Sequence, residues 1–195
     1  FFKERIFHPL GMKDTGFSVP HHNLNRMATC YAQDFVTGKA AELQEASADI
    51  YAEPPSFESG GGDRLVSTAD DMLAFGRMLL DEGKLGSERL LSRVRVEAVA
   101  TDQLTQDQKM RSPFFPGFWD TNGWGLGVGM VIRRDGIAAS PGRFGWDGAF
   151  STSLGIDPCE QMVGVFLAQC RPKSFLLHPA VQDFWSSGYA AIEDS

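Results

Sequence analysis

Residues 142–158 constrain the fold of this chain more than any other stretch, because glycines interrupt an otherwise strand-forming sequence. The second half is rich in aromatic and β-branched residues and ends at an Asp-Pro turn signal. The first half holds Gly142, Gly145 and Gly148. Glycine within a strand often marks a place where a ligand or another backbone comes close. We therefore expect this strand to form the wall of a cleft.

Two neighbouring segments complete a predicted sheet. Residues 162–169 are nearly all apolar, as in a buried strand, and the residues before them are enough for a hairpin turn. Residues 123–132 carry glycine at every second position, which would place these glycines on one closely packed face of a strand. The three segments predict a three-stranded antiparallel sheet. The apolar spacing of residues 175–192 predicts a terminal helix that covers it.

A further helix is predicted to begin after residue 68. Ser67 or Thr68 is a suitable N-cap, and Asp70 and Asp71 follow in the first turn, where the helix dipole favours acidic residues. Gly83 is a suitable end. Apolar residues recur at helical spacing between these signals, so one face of the helix is expected to be buried.

Two loops are predicted around this helix. Residues 59–64 are rich in glycine but lack the lysine of a phosphate-binding loop, so they predict a turn with unusual dihedral angles. Residues 101–122 are polar and then rich in proline and phenylalanine, which predicts a long loop. Its aromatic residues either line a substrate pocket or fill the gap between two subdomains. They are Phe114, Phe115, Phe118 and Trp119.

These patterns together predict an α+β fold. We expect a helical and irregular region over residues 1–118, followed by an antiparallel sheet with a terminal helix over residues 119–195. The 195 residues are 43% hydrophobic, which is enough to bury one core.

Composition and charge argue against several classes of function. The net charge is −7 and no basic stripe is present, so nucleic-acid binding is not expected. No apolar run approaches the roughly 20 residues that a membrane-spanning helix needs. Cys30, Cys159 and Cys170 lack the spacing of metal ligands, and the pair His21-His22 has no third ligand nearby. Neither a metal nor another cofactor is therefore expected.

Trp146-Asp147-Gly148 resembles the third active-site motif of the serine β-lactamase and penicillin-binding-protein superfamily. In that superfamily Lys-Thr-Gly, His-x-Gly or Trp-x-Gly lies on the strand beside the nucleophilic serine. The motif is most similar to that of class C β-lactamase-like esterases and D-aminopeptidases. Residues 9–17 (Pro-Leu-Gly-Met-x-x-Thr-x-Phe) and residues 60–71, a glycine run before Ser-Thr-x-x-Asp, also resemble this superfamily. The resemblance covers nearly the whole chain.

The resemblance implies acyl transfer to a serine followed by hydrolysis. It assigns the Ala149 N–H as one of two donors to the oxyanion, and Gly148 as a position that leaves room for the acyl chain. Trp146 and Asp147 would contact the substrate. An ionised Asp147 would disfavour an anionic β-lactam and favour a neutral ester or amide. The alternative is that Asp147 points away from the cleft, since neighbouring strand residues face opposite sides.

Two motifs of the superfamily are absent from this sequence. No lysine has a serine three positions before it, and no tyrosine begins Tyr-x-Asn. Both motifs lie N-terminal to the segments found here. We therefore expect the chain to be the C-terminal half of a longer parent, with the N-terminal half of the same protein as its partner. The parent's substrate would be a small ester or amide, and the alternative is a binding or sensor module that lost the chemistry.

The isolated chain should not hydrolyse nitrophenyl esters or nitrocefin above the blank rate, because it lacks the nucleophile and its base. It should also self-associate into homo-oligomers or bind another chain, since a sheet without its neighbouring strands leaves an open edge and an exposed apolar face. Absorbance assays and light scattering at high concentration check the two expectations. Turnover above the blank, or a strictly monomeric chain, would contradict them.

Overall fold

The computed structural model of the chain describes residues 1–34, 37–43, 48–54, 65–112, 114–134, 139–172 and 179–192. The α-helices in these ranges are α1 (Ala69–Leu80), α2 (Arg93–Val99), α3 (Gln106–Arg111), α4 (Phe118–Thr121) and α5 (Pro179–Ala190). The strands are β1 (Tyr31–Gln33), β2 (Ala40–Glu42), β3 (Lys84–Leu85), β4 (Glu88–Arg89), β5 (Asn122–Trp124), β6 (Gly129–Val131), β7 (Phe144–Asp147), β8 (Ser153–Asp157), β9 (Met162–Phe166) and β10 (Cys170–Pro172). Before α1 lie a π-helical turn (Lys3–Phe7) and two 3-10 helices (His21–Arg26 and Ala48–Tyr51).

The main sheet consists of strands β5 to β9 in chain order, with every neighbouring pair antiparallel. A smaller sheet has the order β10-β1-β2, in which β1 runs parallel to β10 and antiparallel to β2. Strands β3 and β4 form a separate hairpin. The predicted α+β class is confirmed, but the main sheet has five strands rather than three.

Helices cover both faces of the main sheet. Alternate residues of β8 project to opposite faces and therefore contact different helices. A Cβ on Gly76 of α1 would lie 3.3 Å from Leu154 Cδ1, so Leu154 faces α1. Ile156, two residues further, clusters with Met78 of the same helix. Gly155 lies between them and faces α5. The strand is therefore buried between two helices.

The larger hydrophobic core joins the N-terminal turn, α1, α2 and the main sheet. Its buried members are Phe7, Leu10, Met12, Met78, Leu79, Val96, Phe144 and Ile156. Residues on both sides of position 118 thus contribute to one core. The division into regions 1–118 and 119–195 stays a prediction.

A pair of glycines forms the seat of α5 on the other face of the sheet. Gly155 and Gly164 are paired across β8 and β9. A Cβ on Gly155 would lie 2.7 Å from the Trp185 ring, and a Cβ on Gly164 would lie 2.3 Å from it. The indole Nε1 donates a hydrogen bond to Ser153 Oγ at 2.9 Å, and the Arg143 guanidinium lies 3.9 Å from the ring centre. Trp185 is thereby held in van der Waals, hydrogen-bond and cation–π contact at once.

The helix predicted after residue 68 is confirmed as α1. The Thr68 hydroxyl accepts a hydrogen bond from the Asp71 N–H at 3.3 Å, as expected of an N-cap. Gly83 has a φ of +90° and its N–H donates to the Met78 carbonyl at 2.8 Å, a left-handed termination that favours glycine. In the described part of the chain, no helix is long and apolar enough to cross a membrane.

The single strand predicted over residues 123–132 is wrong. The structure has two strands there, β5 and β6, joined by a tight turn. A Cβ on Gly123 would lie 2.6 Å from Asp102. A Cβ on Gly129 would instead lie 2.9 Å from the ring of Trp146. Different neighbours require these glycines, so their regular spacing does not reflect one packed face.

The stretch 142–158 is a hairpin rather than a single strand. Strands β7 and β8 pair from Phe144 opposite Ile156 to Asp147 opposite Ser153, and the residues between reverse the chain. The predicted pairing of β8 with a buried strand after it is confirmed by β9. The reversal places the Trp-x-Gly motif at the end of a strand.

The loop predicted over residues 101–122 contains two short helices, α3 and α4. Helix α3 begins with a capping box, in which Thr105 and Gln108 each accept a hydrogen bond from the other's backbone N–H. The Thr-x-x-Gln pattern of a capping box is present in the sequence and indicates a helix, although the polar composition of this segment predicts a loop. Residues 59–64, and residues 175–178 at the start of the predicted terminal helix, lie outside the described residues.

Gly164→Ala should destabilise the protein by about 1–3 kcal/mol, because the added methyl group overlaps the Trp185 ring. Gly188→Ala is the matched control. Gly188 lies in α5, nothing comes within 4 Å of its Cβ position, and alanine there should stabilise by about 0.5–1 kcal/mol. Denaturant titration measures both changes. Equal effects at the two positions would contradict the conclusion that Gly164 is needed to make room for Trp185.

Candidate active site

The four residues assigned to the site are consecutive at the end of a strand. Trp146 and Asp147 are the last two residues of β7, and Gly148 and Ala149 begin the turn into β8. The sequence places them together, and the structure determines the direction of each.

A β-turn closes the end of β7. The Ser151 N–H donates to the Gly148 carbonyl at 3.0 Å, and the Gly148 N–H donates to the Thr152 carbonyl at 2.7 Å. Ala149 occupies the second position of this turn and is exposed. Within the described residues, no hydrogen bond uses the Ala149 N–H. This N–H is therefore a backbone donor available to a ligand.

Contacts from outside the main sheet fix the turn. The Cys170 N–H donates to the Phe150 carbonyl at 3.1 Å, and the Ser151 hydroxyl donates to the Cys170 carbonyl at 2.7 Å. Ser151 is buried and has a φ of +61°, an uncommon conformation for a residue with a side chain. The surrounding hydrogen bonds hold this conformation.

Gly148 makes room for a neighbouring side chain in this structure. A Cβ at this position would lie 2.2 Å from Thr152 Oγ1. Gly145 has a φ of +150°, and a Cβ there would lie 2.0 Å from the Leu154 carbonyl oxygen. Gly145 is thus required by the backbone of β8, whereas a side chain at Gly148 would displace the Thr152 hydroxyl.

A cleft of about 790 Å³ opens between α1, residues 13–28 and the end of the β7–β8 hairpin. Trp146 and Gly148 are among its described lining residues, whereas Asp147 and Ala149 are not. Much of its wall is apolar. The apolar residues include Val66, Met72, Phe75, Val128, Leu154, Ile156, Val165 and Leu167.

Asp147 lies on the other face of the sheet. It pairs with Ser153, and paired residues of antiparallel strands project from the same face. The Ser153 hydroxyl accepts the hydrogen bond from Trp185 of α5, which identifies the face. The register favours the alternative in which Asp147 points away from the cleft. An Asp147 carboxylate on this face would not repel an anionic substrate in the cleft. Its position therefore does not support the predicted preference for a neutral ester or amide.

Trp146 packs against Trp124 of β5 and against two aromatic residues that precede this strand. Its ring centre lies 4.5 Å from that of Trp124, 5.6 Å from that of Phe114 and 6.4 Å from that of Phe118. Phe115 and Phe118 are in edge-to-face contact at 4.9 Å. The aromatic residues of the predicted loop therefore surround the motif tryptophan.

A buried ion pair braces these aromatic residues and was not predicted from the sequence. Lys109 is 3% exposed, and its Nζ lies 2.5 Å from Asp102 Oδ2. Asp102 Oδ1 accepts a hydrogen bond from the Trp124 N–H at 3.1 Å. Burial raises the pKa of Asp102, but the hydrogen bonds from Lys109 and the backbone outweigh it and hold this pKa below its ordinary value. The Lys109 ammonium also lies 5.6 Å from the ring centre of Trp119.

The polar wall of the cleft is held together by Asp71. Its Oδ2 accepts hydrogen bonds from the Asp14 N–H at 2.9 Å and from the Thr15 hydroxyl at 2.6 Å. Asp14 accepts two hydrogen bonds from Arg26, which hold the pKa of Asp14 below its ordinary value. These carboxylates are already paired, so they position the chain rather than provide a free base. Among the described residues, no group of three or more His, Cys, Asp or Glu side chains has the arrangement of a metal site.

An antiparallel sheet between two helices, with a cleft beside a Trp-x-Gly turn, is the architecture of the serine β-lactamase and penicillin-binding-protein class. A family model described as Beta-lactamase matches residues 1–182. The chain belongs to the beta-lactamase family.

A relative in Mycobacterium tuberculosis, Protein Rv1367c, is 37% identical over 180 residues, which cover 87% of this chain and 42% of the relative. The chain thus spans less than half of the length of this relative.

Solved structures share the fold. Simvastatin Synthase (LovD) from Aspergillus terreus has a TM-score of 0.78 at 19% identity, covering 100% of this chain and 50% of that one. EstCE1, a hydrolase with promiscuous acyltransferase activity, has a TM-score of 0.69 at 19% identity, with 96% and 49% covered. The octameric penicillin-binding protein homologue from Pyrococcus abyssi has a TM-score of 0.53 at 20% identity, with 84% and 31% covered. At these identities the likeness concerns the fold alone.

Asp102→Asn should destabilise the protein by about 3 kcal/mol or more, because it leaves the buried Lys109 ammonium without its counter-charge. Asp107→Asn is the matched control, since it removes a carboxylate from the exposed ion pair with Arg111 and should cost less than about 1 kcal/mol. Denaturant titration compares the two variants.

The stability difference between wild type and Asp102→Asn should also depend on pH. Because folding lowers the pKa of Asp102, its contribution is fully present above the unfolded value of about 3.9. It is lost as the pH falls through the lower folded value. Melting temperatures between pH 7 and pH 2 should therefore converge at the acid end. A constant difference would contradict the assignment.

Proposed function

We propose that this chain is the C-terminal portion of a serine acyl hydrolase, an esterase or β-lactamase-like enzyme. The observation that carries the proposal is the unused Ala149 N–H, exposed at the end of the Trp-x-Gly strand and adjacent to the cleft. The family membership supports the reaction class. The nucleophilic serine and its lysine would come from the N-terminal part of the parent.

The proposed role of Ala149 is to stabilise an oxyanion. Attack of a serine on the substrate carbonyl places a negative charge on its oxygen, and a second such charge forms when water attacks the acyl-enzyme. The Ala149 N–H would donate one hydrogen bond to this oxygen, and the serine's own N–H would donate the other. One such donor contributes about 2.7–4 kcal/mol to transition-state stabilisation.

Substrate contact is proposed for Trp146 and Gly148, which line the cleft. Asp147 is given a supporting role in the strand, since its register places it on the face of α5. EstCE1 is described as a hydrolase with acyltransferase activity and LovD as a synthase. Both descriptions are compatible with an acyl group passing from an ester or amide to water or to an alcohol.

The cleft is also the proposed docking surface for the N-terminal half of the parent. Its apolar wall would be exposed in the isolated chain, and apolar surface of this kind is stabilised by burial. A segment that packs there would bring a nucleophile beside Trp146 and Gly148. Self-association remains a second proposal, and the octameric homologue from Pyrococcus abyssi provides a precedent for it within the fold.

Ala149→Pro in the full-length parent tests the oxyanion role. Proline lacks the N–H and suits the second position of a β-turn, so the turn should survive the change. The expected result is a loss of about 100- to 1,000-fold in kcat for a nitrophenyl ester. Stopped assays measure the rate, and circular dichroism verifies that the variant is folded.

Ala149→Ser is the control, because it keeps the N–H and should lose less than tenfold. A folded Ala149→Pro enzyme with normal kcat would exclude this N–H from catalysis. The binding-module alternative has its own test. A parent without Ser-x-x-Lys and Tyr-x-Asn upstream of Phe1 would favour that alternative over the hydrolase.

A further inference from the structure

An aromatic platform lies beside the motif tryptophan. We use this name for Phe114, Phe115, Phe118, Trp124 and Trp146. Ring centres of neighbouring members are 4.5–6.4 Å apart, with tilted or edge-to-face geometry. Such contacts join the five rings into one continuous apolar surface.

The outer rings of the platform are open to solvent although the inner one is buried. Phe114 is 60% exposed, Phe115 is 53% exposed and Trp146 is 40% exposed, whereas Phe118 is buried. Clustered exposed aromatics of this kind mark a surface that binds something apolar. A cavity of about 90 Å³ continues the surface inward, between Phe118, Trp146 and the glycines of β6 and β7.

The platform is supported from below. Gly129 has no side chain, and a Cβ there would meet the Trp146 ring at 2.9 Å. The Asn122 side chain donates to the Phe118 carbonyl at 3.0 Å. The Lys109–Asp102 pair holds the Trp124 N–H. These contacts hold Trp146, Phe118 and Trp124 in place before any ligand arrives, which reduces the ordering cost of binding.

Trp146 belongs both to the platform and to the lining of the large cleft. It also lies three residues from Ala149, a separation of roughly 10 Å or less along the chain. A substrate whose carbonyl oxygen meets the Ala149 N–H can therefore reach the platform with an attached group of moderate length. The exposed rings offer such a group apolar contact and no counter-charge.

We infer that the platform binds an aryl or medium-length alkyl acyl group, so that the parent prefers bulky apolar esters or amides to acetyl substrates. This inference rests on the proposed function, because it names the substrate class of the same site. The occupant is the substrate itself, since the platform is continuous with the cleft through Trp146. Packing against another part of the parent is the competing outcome of the test.

The experiment compares kcat/KM of the full-length parent for 4-nitrophenyl octanoate and 4-nitrophenyl acetate. The ratio of the two values should fall about tenfold in Phe114→Ala and in Phe115→Ala, because each variant removes apolar contact to the longer group. Met110→Ala is the control, since Met110 is 74% exposed and lies outside the platform. An unchanged ratio in both phenylalanine variants, or a lowered melting temperature with an unchanged ratio, overturns the inference.

A binding measurement separates this inference from the proposed function. If the parent hydrolyses neither ester, the proposed function fails, and calorimetric titration with 4-phenylbutyramide and acetamide decides the role of the platform. Tighter binding of 4-phenylbutyramide, weakened about fivefold or more by Phe114→Ala but not by Met110→Ala, supports it. Equal binding of the two amides, or no effect of Phe114→Ala, overturns it.

Discussion

The indole of Trp185 occupies the space above Gly155 and Gly164, and the main sheet depends on this contact. The ring lies where two side chains would otherwise project, so α5 approaches β8 and β9 more closely than ordinary residues would allow. The hydrogen bond to Ser153 and the stacked Arg143 guanidinium fix the ring in that plane. One side chain thereby helps to position β8, the strand that pairs with β7 and so with the candidate site.

The two faces of the sheet differ in the residues that they carry. The face towards α1 carries the apolar residues that continue into the cleft. The face towards α5 carries buried polar groups, including Asp157, whose Oδ2 accepts a hydrogen bond from the Tyr189 hydroxyl at 2.7 Å. Burial and this hydrogen bond raise the pKa of Tyr189 well above its ordinary value, so it stays a donor. The α5 face holds the strands in place, and the α1 face carries both the larger core and the apolar residues that continue into the cleft.

The sequence predicts those features that depend on local chemistry. The N-cap Thr68, the termination at Gly83 and the fold class follow from residue type and spacing, whereas Trp-x-Gly is recognised by its resemblance to a family motif. Prediction from the sequence fails where a contact with a residue distant in the sequence determines the structure. Glycines at 123 and 129 look like one strand face, but Asp102 requires the first and Trp146 the second. The Lys109–Asp102 ion pair could not be predicted either, because no sequence pattern indicates that this lysine is buried. The face of the sheet to which the Asp147 side chain points could be assigned only from its pairing with Ser153.

The connection between the motif turn and the small sheet has a mechanical consequence. Phe150 and Ser151 are hydrogen-bonded to Cys170, the first residue of β10, and β10 is paired in parallel with β1. The turn that presents Ala149 is therefore held on one side by its own hairpin and on the other by β10, which in turn pairs with a strand from the first fifth of the chain. The peptide groups of this turn are accordingly connected to both sheets, and their orientation is linked through β10 to a strand more than 100 residues earlier in the chain.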